Sequence, residues 1–380
     1  MAEAHIKITN LNKRFGKLYA INNVALEVER GEYIVILGPT GAGKTTLLKL
    51  IAGLVKPTSG TIFKNGEILN QIPPEKRNMA YLPQTEDYSL FPYMSVWENT
   101  IFSPKVKGEK PWDEVVTLGD EILDLVNLRT RYNAYPHELS GGMKQRVALA
   151  RAIAADADIF LLDEPLRALD ARLRIRLRTE LRKLVSDLNK TTFHVTHDQE
   201  EALAVADKVL IINEGKIIQF DIPEEIYYKP SSLFSAHFFG TTNLIPATKI
   251  KNNGKEVTFQ VGEAELIIHE KNVIYRLNQN KDEFVLAIKA DSIKPFKTEI
   301  SRDQSNLFLR GVVERSFFLG KWANIVVNIE RFSKEEIEVI IPSVDLPEYE
   351  IGTKINLKIP HDAIMCFNEP WEIIKQMEAI

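Results

Sequence analysis

From residue 6 to about 239 the chain alternates short apolar runs with segments whose apolar positions recur every three or four residues. Residues 33–37 (YIVIL), 159–162, 192–195 and 209–212 are strand-like, rich in β-branched and apolar residues, and bounded by turn residues. Such runs predict strands buried on both faces. Residues 44–54, 144–154 and 170–188 carry helical spacing, so the pattern predicts an α/β sheet covered by helices. Residues 73–135 break the alternation with prolines, aromatics and one predicted helix at 113–125. They predict a helical subdomain inserted between sheet strands, at about 84–155. After Gly240 the texture changes again. Segments 256–260, 265–268, 284–288, 309–313, 323–327 and 336–341 are short, partly alternating and separated by Gly, Asn, Asp and Lys clusters. That pattern predicts a small all-β barrel domain. The expected domains are therefore 1–238 and 239–380.

The turn after residues 33–37 adds chemistry. It reads Gly38, Pro39, Thr40, Gly41, Ala42, Gly43, Lys44, Thr45, which fits G-x-x-x-x-G-K-[ST] between a strand and a helix. Backbone N–H groups at that helix N-terminus, with the helix dipole behind them, suit a phosphate chain. Gly41 and Gly43 are expected to let the backbone approach phosphates where a Cβ would clash. Lys44 reaches the β- and γ-phosphates, and the Thr45 hydroxyl is placed to ligate Mg²⁺.

Two further elements extend this site. The apolar run 157–162 ends in Asp163, Glu164 and Pro165. A buried strand delivers its last side chains to the carboxyl edge of the sheet, where ligands bind. Asp163 is placed there to hold Mg²⁺ and Glu164 to act as general base on the attacking water. Ser140, Gly141 and Gly142 precede a basic helix and form a second phosphate-facing helix N-terminus. The chain has no second P-loop, so this element is expected to serve ATP bound to another subunit.

Composition narrows the remaining choices. At 380 residues, 26% charged and 44% hydrophobic, the chain reads as a soluble globular protein of two or three domains. A net charge of −4 leaves no general footprint for nucleic acid. The basic run 172–183 has Leu173, Leu177, Leu181 and Leu184 at helical spacing, and reads as a solvated helix face. The single cysteine, Cys366, excludes an internal disulfide and a multi-cysteine zinc site, and reads as an apolar filler in a reducing compartment. The N-terminus lacks the apolar segment of a signal peptide. The charge-free stretch 230–248 contains two prolines and several polar residues, so it is not a membrane span. Any membrane role is expected to act through a partner.

These motifs together resemble the ATPase subunit of an ABC importer, of the group typified by maltose, glycerol-phosphate, sulfate, polyamine and iron transporters. The resemblance covers nearly the whole chain. Residues 38–45 match Walker A, Gln84 the Q-loop glutamine, 139–142 the signature, 159–164 Walker B with its catalytic glutamate, Leu169 and Asp170 the D-loop, and His197 the switch histidine. The resemblance implies an α/β P-loop NTPase, an ABC ATPase with an inserted helical subdomain, followed by an all-β OB-type barrel domain. It implies ATP and Mg²⁺ as cofactors. Phe15 would stack on adenine, Thr46 would touch the α-phosphate, and His197 would contact the γ-phosphate. Gln84 would join Thr45 and Asp163 around Mg²⁺, while Ser140, Gly141 and Gly142 would act in trans. His194 receives no role and is expected to be packed in its strand. Residues 90–96 match the segment beside the groove for a membrane-subunit helix. The implied partners are a second ATPase subunit (a copy or a close paralogue), two membrane-spanning permease subunits and, indirectly, an extracytoplasmic solute-binding protein. No nucleic acid is implied. The implied place is the cytoplasmic face of the membrane.

Single-unit architecture and the β-rich tail, with no heptad array, argue against a soluble ATPase of translation or DNA repair. Three departures from the family pattern stand out. Lys289, Ala290 and Asp291 replace an Arg-Pro-Glu segment. Residues 85–88 lengthen the loop after Gln84. Arg167 stands where relatives usually have Ser, and is expected to alter contacts near the opposite ATP, in a specialised pair whose second subunit is a copy or a close paralogue.

Overall fold

The computed structural model describes residues 4–84, 90–254, 256–269, 282–298, 306–329 and 336–377. The longer loop expected at 85–88 lies outside them. The chain divides into two compact units, Met1–Pro223 and Glu224–Ile380.

The first unit holds two sheets. Strands β1 (Ile6–Phe15), β2 (Leu18–Val28), β4 (Ser59–Lys64) and β5 (Glu67–Ile68) form an antiparallel sheet in the order β2-β1-β4-β5. The larger sheet contains β3 (Tyr33–Leu37), β6 (Met79–Leu82), β7 (Ile159–Asp163), β8 (Thr191–Val195), β9 (Lys208–Asn213) and β10 (Lys216–Asp221). Its order is β10-β9-β3-β8-β7-β6, with parallel pairing from β9 to β6 and an antiparallel β10 edge. Every residue of β3, β7 and β8 is buried. This explains the apolar runs of β3 and β7, since a parallel strand covered by helices has no solvent face. Helix α1 (Lys44–Ala52) follows β3 and buries Leu47, Leu48, Leu50 and Ile51 in the same core.

The inserted region contains α2 (Val96–Thr100), α3 (Phe102–Lys107), α4 (Trp112–Leu125) and α5 (Gly141–Ala154). Only α4 among the first three was expected. The signal for α2 was present: Ser95 accepts from Glu98 N while Glu98 Oε2 accepts from Ser95 N, a capping box. Residues 79–82, for which no strand was expected, form β6 against β7, from Met79↔Ile159 to Leu82↔Leu162. The strand is four residues long and lacks β-branched residues, so its local signal is weak. Helix α6 (Ala171–Asp187) is capped by Asp170 and buries Leu177, Leu181 and Val185, while α7 (Gln199–Val205) is capped by Asp198.

The second unit begins with α8 (Pro223–Tyr228) and α9 (Leu233–Phe238), the latter formed from the charge-free stretch. It continues as β11 (Thr242–Asn252), β12 (Glu256–Val261), β13 (Ala264–His269), β14 (Glu283–Lys289), β15 (Lys294–Phe296), β16 (Asn306–Leu319), β17 (Trp322–Ile329), β18 (Glu336–Pro342), β19 (Lys354–Pro360) and β20 (Ile364–Phe367), then α10 (Glu372–Met377). Two antiparallel five-stranded sheets, β13-β12-β11-β14-β20 and β15-β19-β16-β17-β18, share one core that includes Phe259, Phe284, Ile325, Val339 and Leu357. The all-β domain is of OB type. Cys366 is buried in its core, where burial pushes the thiol up to about 12. Asn243 ties the sheets together: its Nδ2 donates to Glu338 O (2.9 Å) and its Oδ1 accepts from Glu338 N (2.7 Å).

Lys289 has a structural place that the motif comparison does not supply. Its ammonium is buried and donates to Ala236 O (2.7 Å), to Phe239 O and to Thr242 Oγ1 (3.0 Å), closing the C-terminal end of α9. A cation suits that end of a helix. Burial pushes its pKa down to about 7, with the Asp291 charge opposing. The folded value therefore lies below the unfolded one, and the unfolded chain binds more protons between about pH 7 and 10.5. The contribution of this group to stability is least favourable below pH 7 and improves as pH rises through that window. Lys289→Met is expected to flatten that rise, measured as hydrogen exchange of the β14 amides from pH 7 to 10.

Candidate nucleotide site

The site lies within the first unit, at the carboxyl ends of β3, β7 and β8. The turn after β3 is held open by glycine at a crowded point. Gly43 has φ of +106°, and a Cβ there would sit 2.3 Å from Ala20 O. At Gly41 no protein atom lies within 4 Å of a would-be Cβ, and its φ of +82° is the reason for glycine within the chain. Gly43 is the N-cap of α1 and offers no side-chain cap, and no acidic residue occupies the first turn. The first N–H groups of the helix have no acceptor within the helix and point into the turn.

Lys44 is buried and donates to Gly38 O (2.7 Å) and Pro39 O (2.8 Å). Burial lowers its pKa, and the charges of Glu164 and Asp163 oppose that shift. A bound phosphate would offer the same ammonium charged acceptors, which form stronger bonds than carbonyls.

A cavity of about 530 Å³ is lined by Thr40, Gly41, Ala42, Gly43, Lys44, Thr45, Thr46 and Gln84, with Glu164 and His197 on its wall. Its remaining wall is Leu18, Tyr19, Ala20 and Glu214. Phe15 is half-exposed at the end of β1, with Lys13 Nζ 4.8 Å from its ring centre. Tyr19, one strand away across the hairpin, was not singled out by the sequence. The phenol ring lies under Arg14 at 5.4 Å, so its exposed side is an aromatic face beside the phosphate loop.

Asp163 ends β7, 1% exposed. Burial raises its carboxyl pKa, while the Thr45 hydroxyl and the charges of Lys49 and Lys44 oppose the rise. Neither oxygen has a hydrogen-bond partner of good geometry within the protein. Buried polar groups are normally satisfied, so this orphaned carboxylate beside Thr45 suits a cation. Among the described residues no group of three or more His, Cys, Asp and Glu side chains converges as a metal site. A cation held by one carboxylate, a hydroxyl and phosphate oxygens is the arrangement typical of Mg²⁺.

Glu164 follows in a left-handed conformation, φ +53°, that a glutamate adopts only under constraint. Three contacts supply it. Glu164 N donates to Val195 O (2.9 Å), Gln145 Nε2 donates to Glu164 O (2.8 Å), and Gln145 Oε1 accepts from Ala168 N (2.8 Å). Gln145 was missed by sequence reasoning. Its signal was a lone amide on the apolar face of α5. The carboxylate itself is held at both oxygens: His197 Nε2 lies 2.5 Å from Oε1, and Arg167 Nη1 donates to Oε2 at 3.0 Å. Arg167, expected to affect the opposite ATP, thus turns onto Glu164 of its own chain.

His197 sits on a polar turn in which Glu201 was not foreseen from the sequence. Thr196 Oγ1 donates to Glu201 Oε2 (2.7 Å) and accepts from Asp198 N (3.1 Å), while Asp198 Oδ1 caps α7 through Glu201 N (2.9 Å). The Asp-x-x-Glu spacing was the available signal. His194 is packed in β8 as expected, with Nδ1 3.0 Å from the Tyr33 hydroxyl. Burial lowers its pKa, so the neutral ring 3.8 Å from Glu201 is not an ion pair.

Ser140, Gly141 and Gly142 do not line the cavity. Ser140 caps α5 through Met143 N at 3.4 Å. A Cβ on Gly142 would meet Ala168 O at 2.8 Å, whereas one on Gly141 would meet nothing within 4 Å. Gly142 therefore has a packing reason within the chain. In the 90–96 segment Phe91 packs on Phe102 (4.3 Å) and under Arg151 (5.2 Å), while Tyr93 is 92% exposed.

The cavity wall makes a distinct prediction about the base. An aromatic contact is worth ~1 kcal/mol, about fivefold in affinity. Tyr19→Ala is expected to weaken binding of a fluorescent ATP analogue by that factor in a titration. Unchanged affinity would remove the ring from the base site, and the same titration of Phe15→Ala weighs the two aromatics.

Comparison with known proteins agrees with this geometry. A family model described as ABC transporter matches residues 21–167. The chain is 34% identical over 365 residues to the "Fe(3+) ions import ATP-binding protein FbpC" of Fusobacterium nucleatum, covering 96% of this chain and 94% of that protein. It is 36% identical to the "Spermidine/putrescine import ATP-binding protein PotA" of Nitrosospira multiformis, over 97% of this chain and 99% of that one. An ATP-binding cassette solved as a dimer in a post-hydrolysis state, bound to ADP and Pi, superposes with a TM-score of 0.53 at 30% identity, covering 57% of this chain and 98% of that chain. With the phosphate loop, the acidic strand end and His197 gathered at one sheet edge, the chain belongs to the ATP-binding subunits of the ABC transporter family.

Proposed function

We propose that this ATPase hydrolyses ATP between two paired subunits and passes the resulting closure to membrane partners of an import complex. The observation that carries the reading is the presence of Glu164 and His197 on the wall of the cavity built by Thr40 to Thr46. In this reading the phosphates lie over the N-terminus of α1, and Lys44 exchanges its two carbonyl partners for β- and γ-phosphate oxygens. Thr46 touches the α-phosphate. Thr45, Asp163 and Gln84 are the residues that would hold Mg²⁺, which supplies neutralising charge to the phosphates. Glu164 takes the proton of the attacking water as its oxygen bonds to the γ-phosphorus, and the bond to the leaving phosphate oxygen breaks. His197 contacts the γ-phosphate. Ser140, Gly141 and Gly142 of a second subunit close the other side, consistent with their place outside this chain's cavity and the open space at Gly141.

Among the described residues no helix is long and apolar enough to cross a membrane. Two permease subunits would supply the spans, with this subunit at their cytoplasmic face and exposed Tyr93 on the docking side of the helical insertion. A solute-binding protein would act on the far side. Relatives named for Fe(3+) ions and for spermidine/putrescine resemble the chain about equally, so ATP-driven import is what carries over from both.

Two variants test this reading. Lys44→Ala is expected to weaken ATP binding roughly 10- to 100-fold, since it removes charge-assisted hydrogen bonds worth ~1.5–3 kcal/mol. Isothermal titration measures it. Glu164→Gln is expected to bind ATP normally and lose about 10²- to 10⁴-fold in turnover, the usual contribution of a general base. Normal phosphate release by Glu164→Gln would overturn the assignment.

A further inference from the structure

We infer that Arg167 is a positioning residue that latches the Glu164 carboxylate in the resting subunit and restrains its turnover. The inference rests on the reading of Glu164 as general base.

A base must present a free, correctly aimed lone pair to the water it deprotonates. Here both oxygens of Glu164 are already engaged, one by His197 and the other by Arg167. The two donors approach from different segments: Arg167 lies three residues on, in the turn after β7, and His197 comes from the end of β8. Their grip fixes the carboxylate plane. The backbone reinforces this, because Glu164 is pinned through its N–H by Val195 and through its carbonyl by Gln145. The side chain therefore has little freedom to turn toward water while both donors remain.

The two ends of the latch differ. The Glu164 side chain is 5% exposed and that of Arg167 is 67% exposed. The carboxylate is enclosed by protein, whereas the guanidinium lies at the surface, open to another acceptor. Both also line a second space, of about 390 Å³, that is bordered by Thr40 of the phosphate loop and by His197. A terminal phosphate entering there carries more negative charge than one carboxylate and offers Arg167 and His197 a competing acceptor. Their transfer to phosphate oxygens would free Glu164 when substrate is in place. Arg167 is thus charged both to hold the base and to be drawn off it by ATP. A serine at this position has neither the charge nor the reach to do so.

The test is steady-state ATPase activity of the full-length chain carrying Arg167→Ser, Arg167→Lys, Glu164→Gln and the double variant Glu164→Gln/Arg167→Ser. An exposed ion pair of this kind corresponds to a rate factor on the order of two- to fivefold. Arg167→Ser is expected to raise kcat by that factor. Arg167→Lys is expected to restore the wild-type kcat, and the double variant to be as inactive as Glu164→Gln. An unchanged or lowered kcat in Arg167→Ser, with Glu164→Gln inactive, overturns the latch and leaves the base assignment standing. Normal turnover in Glu164→Gln overturns the base assignment itself. Because Arg167 is mostly exposed, loss of folding is not expected, and an unchanged circular dichroism spectrum of Arg167→Ser checks it.

Discussion

The parallel pairing of β8 with both β3 and β7 is the constraint on which the nucleotide site depends. Its register sets Ile36 beside Val195 and Val195 beside Asp163. The phosphate loop, the acidic pair and His197 leave the sheet at the same edge, although they come from residues 38–46, 163–164 and 197. Parallel strands are stable only when both faces are covered. The sheet therefore requires α1 to pack on it, and that packing aims the N-terminus of α1 at the loop. Loss of one buried leucine or isoleucine here would cost about 2–5 kcal/mol, and it would disturb both the core and the aim of the helix.

A second constraint is the close passage of backbone around the turn after β7. Gln145 reaches from α5 to hold Glu164 O and Ala168 N, and Gly142 lets the same helix approach Ala168 O. The helix that follows Ser140 is thereby tied to the segment that carries Glu164 and Arg167. A displacement of α5 would be felt at Glu164 through one amide. The helical insertion and the chemistry are joined in this way within one compact unit.

Much of this was legible along the chain. The buried strands announced themselves as unbroken apolar runs, and G-x-x-x-x-G-K-T fixed the phosphate loop because only a few residue types meet its steric and charge demands. The β-rich second unit was visible as alternation. What escaped was weak locally. Strand β6 has four residues and no β-branched side chain, so only its pairing with β7 makes it a strand. Gln145, Thr196 and Glu201 are single polar residues whose purpose appears only when their partners, 19, 5 and 5 residues away, fold against them. Tyr19 gained its place on the cavity wall from the β1–β2 hairpin rather than from a motif.

The sequence by itself determined the class of machine. Residue types that can cradle phosphate, hold a cation and accept a proton occur at spacings that a βα framework alone accommodates. Tertiary structure decided where each charge points. Arg167 reads along the chain as an unusual residue in a turn, and in the fold it is the partner of its own glutamate. Lys289 reads as a lost arginine, and in the fold it closes α9. The physical reason is the same in both cases. A charged side chain takes the partner that compensates its desolvation, and that partner is set by three-dimensional approach rather than by order along the chain.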